Sequence, residues 1–478
     1  MHTKDTNPAS ISSASFRDPA GFVFKENGCI MRQINKSYSQ EYEQLMTSGL
    51  YQALTKHNLL VSHKEIENPD FLSVDGLKVI QPEQINYISY PYEWCFSQLK
   101  DAALLTLEVQ KRALQHNMSL KDASAYNVQF NGPRPIFIDT LSFEEFTEKP
   151  WVAYKQFCQH FLAPLALASH CDFRINHLLK SYIDGIPIDL AAKLLPGRTR
   201  LKLGLLMHIH MHAKSQSKFA DRGREDVVQN KISASRLSKE KSIAIIDQLV
   251  STIKGLSWQP DNTEWGNYYS DTNYQEDDHV TKAALLKKYI ARTEADQPMI
   301  QDLGGNDGTF SREVANNASM VISLDIDEIA VEKNYLRAKT SQETNILPLI
   351  QNITNPSPAI GWANKERDVF GSRGDVEISL ALALIHHIAI SNGIPLKLVA
   401  QYFSKLSPYL IIEFVSKEDS QVKRLLATRE DIFDDYTNQG FEKAFEGYFE
   451  IIQSDEIEQT ERTMYLMKAK TQDALKNR

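Results

Sequence analysis

The stretch MIQDLGGNDGTFSREV, Met299 to Val314, decides how the second half of the chain folds. Its first five residues read as a short buried strand carrying one acid, Asp302. Gly304, Gly305 and Gly308 then supply backbone freedom, and the residues from Thr309 onward have the composition of a helix. Glycine lets the main chain bend sharply and approach a ligand with no Cβ in the way. In an open α/β sheet, ligands lie beyond the carboxyl ends of the strands, at the turn into the next helix. Strand, glycine turn and helix in this order therefore predict a ligand crevice.

The neighbouring sequence supplies the rest of such a sheet. Beyond Ala295, short apolar runs (PMIQDLG, SMVISLDID, TNILPLIQNI, VEISLALALI and YLIIEFV) alternate with helical segments. That spacing predicts a parallel sheet flanked by helices, an α/β Rossmann-like fold. Asp325 ends the second run, where a carboxylate accepts both hydroxyls of a ribose. Asp327 fits the N-cap of the helix that follows. A dinucleotide fingerprint requires GxGxxG facing a pyrophosphate. Here the run is GGNDG, with Asn306 at its centre and Asp302 at the strand end. An anion there repels a pyrophosphate and attracts an ammonium, which favours S-adenosylmethionine over a nicotinamide dinucleotide.

DLGGNDG followed by LDID resembles motif I and the acidic second-strand end of class I S-adenosylmethionine-dependent methyltransferases. ALALIHHI is similar to that family's fourth motif, and LIIEFV to the strand before its final hairpin. WGNYYSDTNYQEDDHVTKAALLKKYI resembles the segment preceding motif I in a bacterial subgroup related to nodulation methyltransferases. The likeness runs from about Trp265 to Arg478. It implies that Asp302, Gly304, Gly305, Asn306, Gly308 and Asp325 bind the cofactor. Many members carry an Asp at the position of Asn352, where it contacts the adenine amino group; the Asn carbonyl oxygen offers the same acceptor.

Methyl transfer mainly requires alignment of the acceptor and exclusion of water. An acceptor hydroxyl or ammonium also requires a base. His386 and His387 follow the fourth apolar run, and histidine titrates near neutrality; Glu413, within LIIEFV, is a further candidate. Each has a plainer reading as a capping, packing or structural group. Trp265, Tyr268, Tyr269 and Tyr274 suit either a cofactor cover or ordinary core.

The first half reads as α+β. Alternating residues around Glu26-Asn27-Gly28 predict a hairpin, YSQEYEQLMTSGLYQALTKH and LKDAALLTLEVQKRALQHN predict helices, and AYNVQFNGPRPIFID turns at Asn131-Gly132. The order Asp122, Asn127, Asp139 resembles the catalytic loop and metal-binding acid of protein-kinase-like phosphotransferases. That resemblance implies magnesium on Asn127 and Asp139. No glycine-rich loop or VAIK-like lysine accompanies it, though Arg32 or Lys36 is available as a substitute. In MHIHMHAK, His208 and His212 lie one helical turn apart and read as a metal pair or as a polar stripe.

The expected divisions are a disordered tail at 1–18, an accessory domain at 19–212, a linker and helix at 213–257, and a methyltransferase domain at 258–478. A net charge of −8 opposes general nucleic-acid binding. Four dispersed cysteines, a polar N-terminus and the lack of an apolar run of membrane-spanning length predict a cytoplasmic protein. The functional expectation is a methyltransferase whose accessory domain selects an acceptor, a small molecule or glycan. The alternatives are a bifunctional kinase and methyltransferase, or a binding protein without catalysis.

Overall fold

The computed structural model describes residues 10–214, 236–259, 276–427, 429–458 and 460–471. It divides into two compact units. One comprises Met1–Phe130, Arg134–Gln259 and Ala359–Asp368, and the other Asn131–Pro133, Pro260–Pro358 and Val369–Arg478.

The first unit begins with an antiparallel sheet in the order β1 (Ser10–Ile11), β2 (Gly21–Glu26), β3 (Cys29–Asn35), β5 (Gly76–Pro82), β4 (His63–Ile66). Asn27 and Gly28 both have positive φ, 51° and 81°, so β2 and β3 are joined by the two-residue turn that the sequence predicts. Within the segment 1–18, expected to be a tail, Ser10 and Ile11 pair as a short strand on the open edge of β2. The single helix expected after β3 is two, α1 (Ser39–Thr47) and α2 (Leu50–Lys56). They are separated at Gly49, whose φ of 83° no continuous helix accommodates. The long helix α3 (Phe96–Gln115) follows, then β6 (Met118–Leu120), the paired strands β7 (Val128–Asn131) and β8 (Arg134–Phe137), and β9 (Phe143–Glu145), which pairs with β6. Short helices, including α4 (Ile188–Leu194), and the longer α5 (Lys239–Lys254) complete the unit.

The second unit is built on seven strands in the order β12 (Ile346–Ile350), β11 (Met320–Asp325), β10 (Met299–Leu303), β13 (Ile378–Ala381), β14 (Tyr409–Val415), β16 (Arg462–Ala469), β15 (Phe449–Ile457). β10 to β14 are mutually parallel, and β16 runs antiparallel to both of its neighbours. β10, β11, β12, β13 and β14 are buried along their whole lengths, as expected for strands covered on both faces. Helices α6 (Glu276–Ile290), α7 (Thr309–Ala315), α8 (Glu328–Thr340) and α9 (Leu396–Phe403) accompany the sheet. Leu286 and Tyr289 of α6 and Phe310 and Val314 of α7 share one core with Ile300, Val321, Ile378 and Ile411. Tyr289 also donates to Asp455 (2.8 Å) and to the Met464 carbonyl (3.0 Å), fixing α6 against the terminal hairpin.

A Cβ at Gly28 meets nothing within 4 Å, so only its left-handed backbone resists substitution. Gly28→Ala should therefore lower unfolding free energy by about 1 kcal/mol, measured as a shifted urea midpoint with unchanged slope.

Candidate functional site

β10 and β11 run in register, Leu303 beside Leu324, so the glycine turn and Asp325 converge at one end of the sheet. The amides of Gly304 and Gly305 both donate to the Leu324 carbonyl at 2.8 Å. Gly304, Asn306 and Gly308 all have positive φ (78°, 50° and 77°). Gly305 is required by space: a Cβ there would lie 2.6 Å from Ser323 Oγ and 2.9 Å from Asp302 Oδ2. Arg312 Nη1 donates to the carbonyls of Asp307 and Gly308 and to Asn334 Oδ1, each at 2.9 Å, and so ties the turn to α8.

The two acids occupy different depths. Asp325 Oδ2 accepts the Asn306 amide and Oδ1 the Asp327 amide, each at 2.8 Å, so it is oriented by backbone alone. Beside it Ile326 is 54% exposed and presents an apolar surface. Asp302 lies beneath Gly305, 1% exposed, and accepts Ser311 Oγ at 2.7 Å. Contact between Asp302 and a ligand ammonium is therefore not the arrangement found, since the turn lies between; its charge acts through the turn. Burial pushes both carboxyls up to about 6. Asp327 caps α8 as expected, accepting the amides of Ile329 (2.8 Å) and Ala330 (3.1 Å).

Asn352 differs from expectation. Its Oδ1 accepts both the amide (2.9 Å) and the hydroxyl (2.7 Å) of Thr354, closing an Asx turn. Both lone pairs are thereby used, so Asn352 offers a ligand its amide N–H groups rather than an acceptor. An apolar cavity of about 260 Å³ opens beyond it, between Ile353, Pro356, Ile388, Leu398 and Tyr402.

Glu413 is also corrected. It is fully buried, with Lys282 Nζ 2.5 Å and the Ala383 amide 2.8 Å from Oε2, and Arg462 Nη1 3.2 Å from Oε1. Arg462 in turn pairs with Asp419 at 2.8 Å. Although burial opposes its ionisation, the two cations hold the Glu413 carboxyl below its ordinary value. A carboxylate so engaged takes no substrate proton; it holds the backbone of Ala383, which has a strained φ of 48°. His386 and His387 follow at once, with ring centroids 4.1 Å apart. His386 is fully buried and makes no hydrogen bond through either ring nitrogen, and burial together with His387, Arg462 and Lys282 holds it neutral. His387 is half-buried, and burial lowers it to about 4.

In the first unit Asp139 Oδ1 meets Arg32 Nη1 at 2.5 Å and the Leu141 amide at 3.0 Å, while Oδ2 accepts Ser142 Oγ at 2.5 Å. Asn127 Nδ2 donates to Ser142 Oγ at 3.2 Å. This closed ion-pair cluster does not fit the magnesium set expected of Asn127 and Asp139. Arg32, not Lys36, is the cation present, since Lys36 Nζ donates to the Val74 carbonyl at 2.9 Å. Asp122 is half-buried and accepts the Ser124 amide at 2.9 Å; burial and Asp139 raise its carboxyl above the ordinary range. His208 Nδ1 is 2.7 Å from Tyr154 Oη, and His212 stacks on the same ring, which accounts for both histidines without a metal. Trp265, Tyr268, Tyr269 and Tyr274 lie outside the described residues. No helix among the described residues is long and apolar enough to cross a membrane.

Lys282, Arg462 and Asp419 were not singled out from sequence. The available signal was periodicity, because Lys282 shares a helix face with Leu286 and Tyr289.

The order β12-β11-β10-β13-β14-β16-β15, with only β16 reversed, is the class I methyltransferase sheet, so the expected Rossmann-like fold is present. No protein-family model matches the chain. Nodulation protein NoeA of Rhizobium meliloti (strain 1021) is 35% identical over 458 residues, 95% of each chain. Among solved structures, the chain is similar to the N-methyltransferase NodS from Bradyrhizobium japonicum WM9, at 8% identity over 41% of this chain and 99% of that one, with a TM-score of 0.30. It is also similar to magnesium protoporphyrin IX methyltransferase (ChlM) from Synechocystis PCC 6803 with bound SAH, at 15% identity, 43% and 93% coverage and a TM-score of 0.30.

Breaking a buried ion pair from one side leaves the other charge stranded. Lys282→Met should cost about 3 kcal/mol of stability, read by chemical denaturation, and more than Lys287→Met, whose exposed pair with Glu313 contributes under about 1 kcal/mol.

Proposed function

The chain belongs to the family of nodulation protein NoeA, and we propose that it is an S-adenosylmethionine-dependent methyltransferase. The observation that carries this reading is the convergence of the Gly304–Gly308 turn on Asp325 at the end of the β10–β11 pair. The residues present suit the cofactor: a backbone cradle closed to any Cβ at Gly305, a carboxylate held for two ribose hydroxyls, and two buried acids whose ionised forms a cation would favour. The amide N–H of Asn352 and the apolar cavity starting at Ile353 suit the adenine. Bound there, the cofactor supplies an electrophilic methyl group on a sulfonium, whose sulfur leaves as a neutral thioether.

The chain's own contribution is placement. Glu413, clamped by Lys282 and Arg462, holds the Ala383 turn and with it the start of the His386-His387 segment. Burial keeps both histidines unprotonated at neutral pH, so either ring can accept a proton, though as a weaker base than a free imidazole. His387, the more accessible of the two, is assigned that role.

The N-terminal unit is read as the acceptor-selecting module, for a small molecule or a glycan. The kinase-like resemblance of this unit supports that reading in its non-catalytic form, because Arg32 already occupies Asp139, the acid the resemblance assigns to a metal.

Isothermal titration provides the test. S-adenosylmethionine should bind and Mg-ATP should not. Asp325→Ala should weaken the former by at least about a hundredfold, the loss of two charge-assisted hydrogen bonds, with the melting profile still cooperative. Absence of cofactor binding in the wild type overturns the reading, and binding of Mg-ATP favours the bifunctional alternative.

The pH dependence follows from the two raised carboxyls. A cationic ligand favours their ionised forms, so affinity should be level above about pH 6 and fall below it. One protonation alone gives about tenfold per pH unit. Titration between pH 5 and 8 measures this, and affinity that rises on acidification contradicts it.

A further inference from the structure

The first unit carries a surface of one-sided charge. From Leu190 to Lys214 the sequence contains no Asp or Glu, in a chain whose net charge is −8. The same 25 positions hold Lys193, Arg198, Arg200, Lys202 and Lys214, all exposed. Two of the flanking acids are already engaged, Asp189 with Lys193 at 3.4 Å and Asp172 with Arg174 at 2.5 Å. Large apolar side chains stand among these cations. Leu201 is 90% exposed and Leu203 65%, alternating with Arg200 and Lys202.

This tip is built rather than loose. Thr199 is fully buried, its hydroxyl 2.7 Å from the Pro196 carbonyl and 2.8 Å from His210 Nε2. Leu205 and Ile209 anchor the following helix in the core. A fixed turn thus carries two leucines outward on a cationic surface, at a cost in exposed apolar area that monomeric proteins rarely accept without a partner.

We propose that the Gly197–Leu203 tip docks this protein onto an anionic lipid bilayer surface. Leu201 and Leu203 enter the boundary between headgroups and acyl chains, and the four cations Lys193, Arg198, Arg200 and Lys202 face the lipid phosphates. Charge complementarity selects an anionic partner, and the alternation of leucine with cation selects lipid over nucleic acid, whose backbone offers the leucines nothing to bury against. No spanning helix is needed for such peripheral attachment.

The test is flotation of the full chain with vesicles of phosphatidylcholine alone or phosphatidylcholine mixed with phosphatidylglycerol. The protein should float with the mixed vesicles, less so as salt is raised, and stay behind with the neutral ones. Leu201→Asp/Leu203→Asp and Arg200→Glu/Lys202→Glu should each reduce partitioning by at least about tenfold. Val74→Asp, at a side chain equally exposed elsewhere, should behave as wild type. All five substituted positions are exposed, so melting temperatures should not change. The proposal fails if anionic vesicles do not retain the protein, or if the leucine variant partitions like wild type. It also fails if single-stranded polynucleotide is bound more tightly than the vesicles.

Discussion

Buried charge at Glu413 organises the working end of the C-terminal unit. One carboxylate in the interior of β14 joins Lys282 on α6, Arg462 on β16 and the amide of Ala383 beyond β13. In water such pairs contribute little. In a dry interior the cost of removing the ions from solvent roughly cancels their attraction, so the net stabilisation is modest. What the arrangement provides is position, because any displacement of α6, β16 or the Ala383 turn strands a charge. Ala383 keeps an unfavourable backbone conformation because Glu413 holds its N–H at 2.8 Å.

The glycine turn relies on a different principle. Its geometry is set mainly by backbone donors: Gly304 and Gly305 on the Leu324 carbonyl, and Asn306 on Asp325. Such contacts follow from the register of β10 against β11, and hence from the core beneath, where Ile300, Val321 and Ile378 pack with α6 and α7. Sheet register, turn and acid form one rigid construction, and positions on rigid elements hold a ligand more accurately than loops do.

Local chemistry made part of this legible in the sequence. Five apolar runs and one glycine turn were enough for the parallel part of the sheet, since period and turn residues are encoded within a few positions. The hairpin at Asn27-Gly28 was legible for the same reason. The β15 strand was not, because in Phe449–Ile457 the alternation is broken by the adjacent Ile451-Ile452 at the bulge and by four consecutive polar residues, Gln453 to Glu456, which read as loop. The split at Gly49 escaped because helical periodicity continues across it. Partners distant in sequence were hidden altogether. Glu413 in the all-buried strand YLIIEFV implied a buried cation somewhere, but nothing local pointed to Lys282, 131 residues away.

Direction of charge perturbation then sorts the buried acids by purpose. Glu413 and Asp139 are held low because cations of the protein itself compensate them, Lys282 and Arg462 in one case and Arg32 in the other. Their charge is spent internally, as befits framework. Asp302 and Asp325 are pushed up, because burial takes them from water and the hydrogen bonds from Ser311 and main-chain amides, with the more distant Lys282 charge at Asp302, restore only part of what is lost. Lys282 offsets part of the cost at Asp302, and the amides of Asn306 and Asp327 part of that at Asp325; a cationic ligand at this turn favours the ionised forms of both. Asp122 is likewise raised, by burial and by the neighbouring Asp139 charge, against the opposing hydrogen bond from the Ser124 amide.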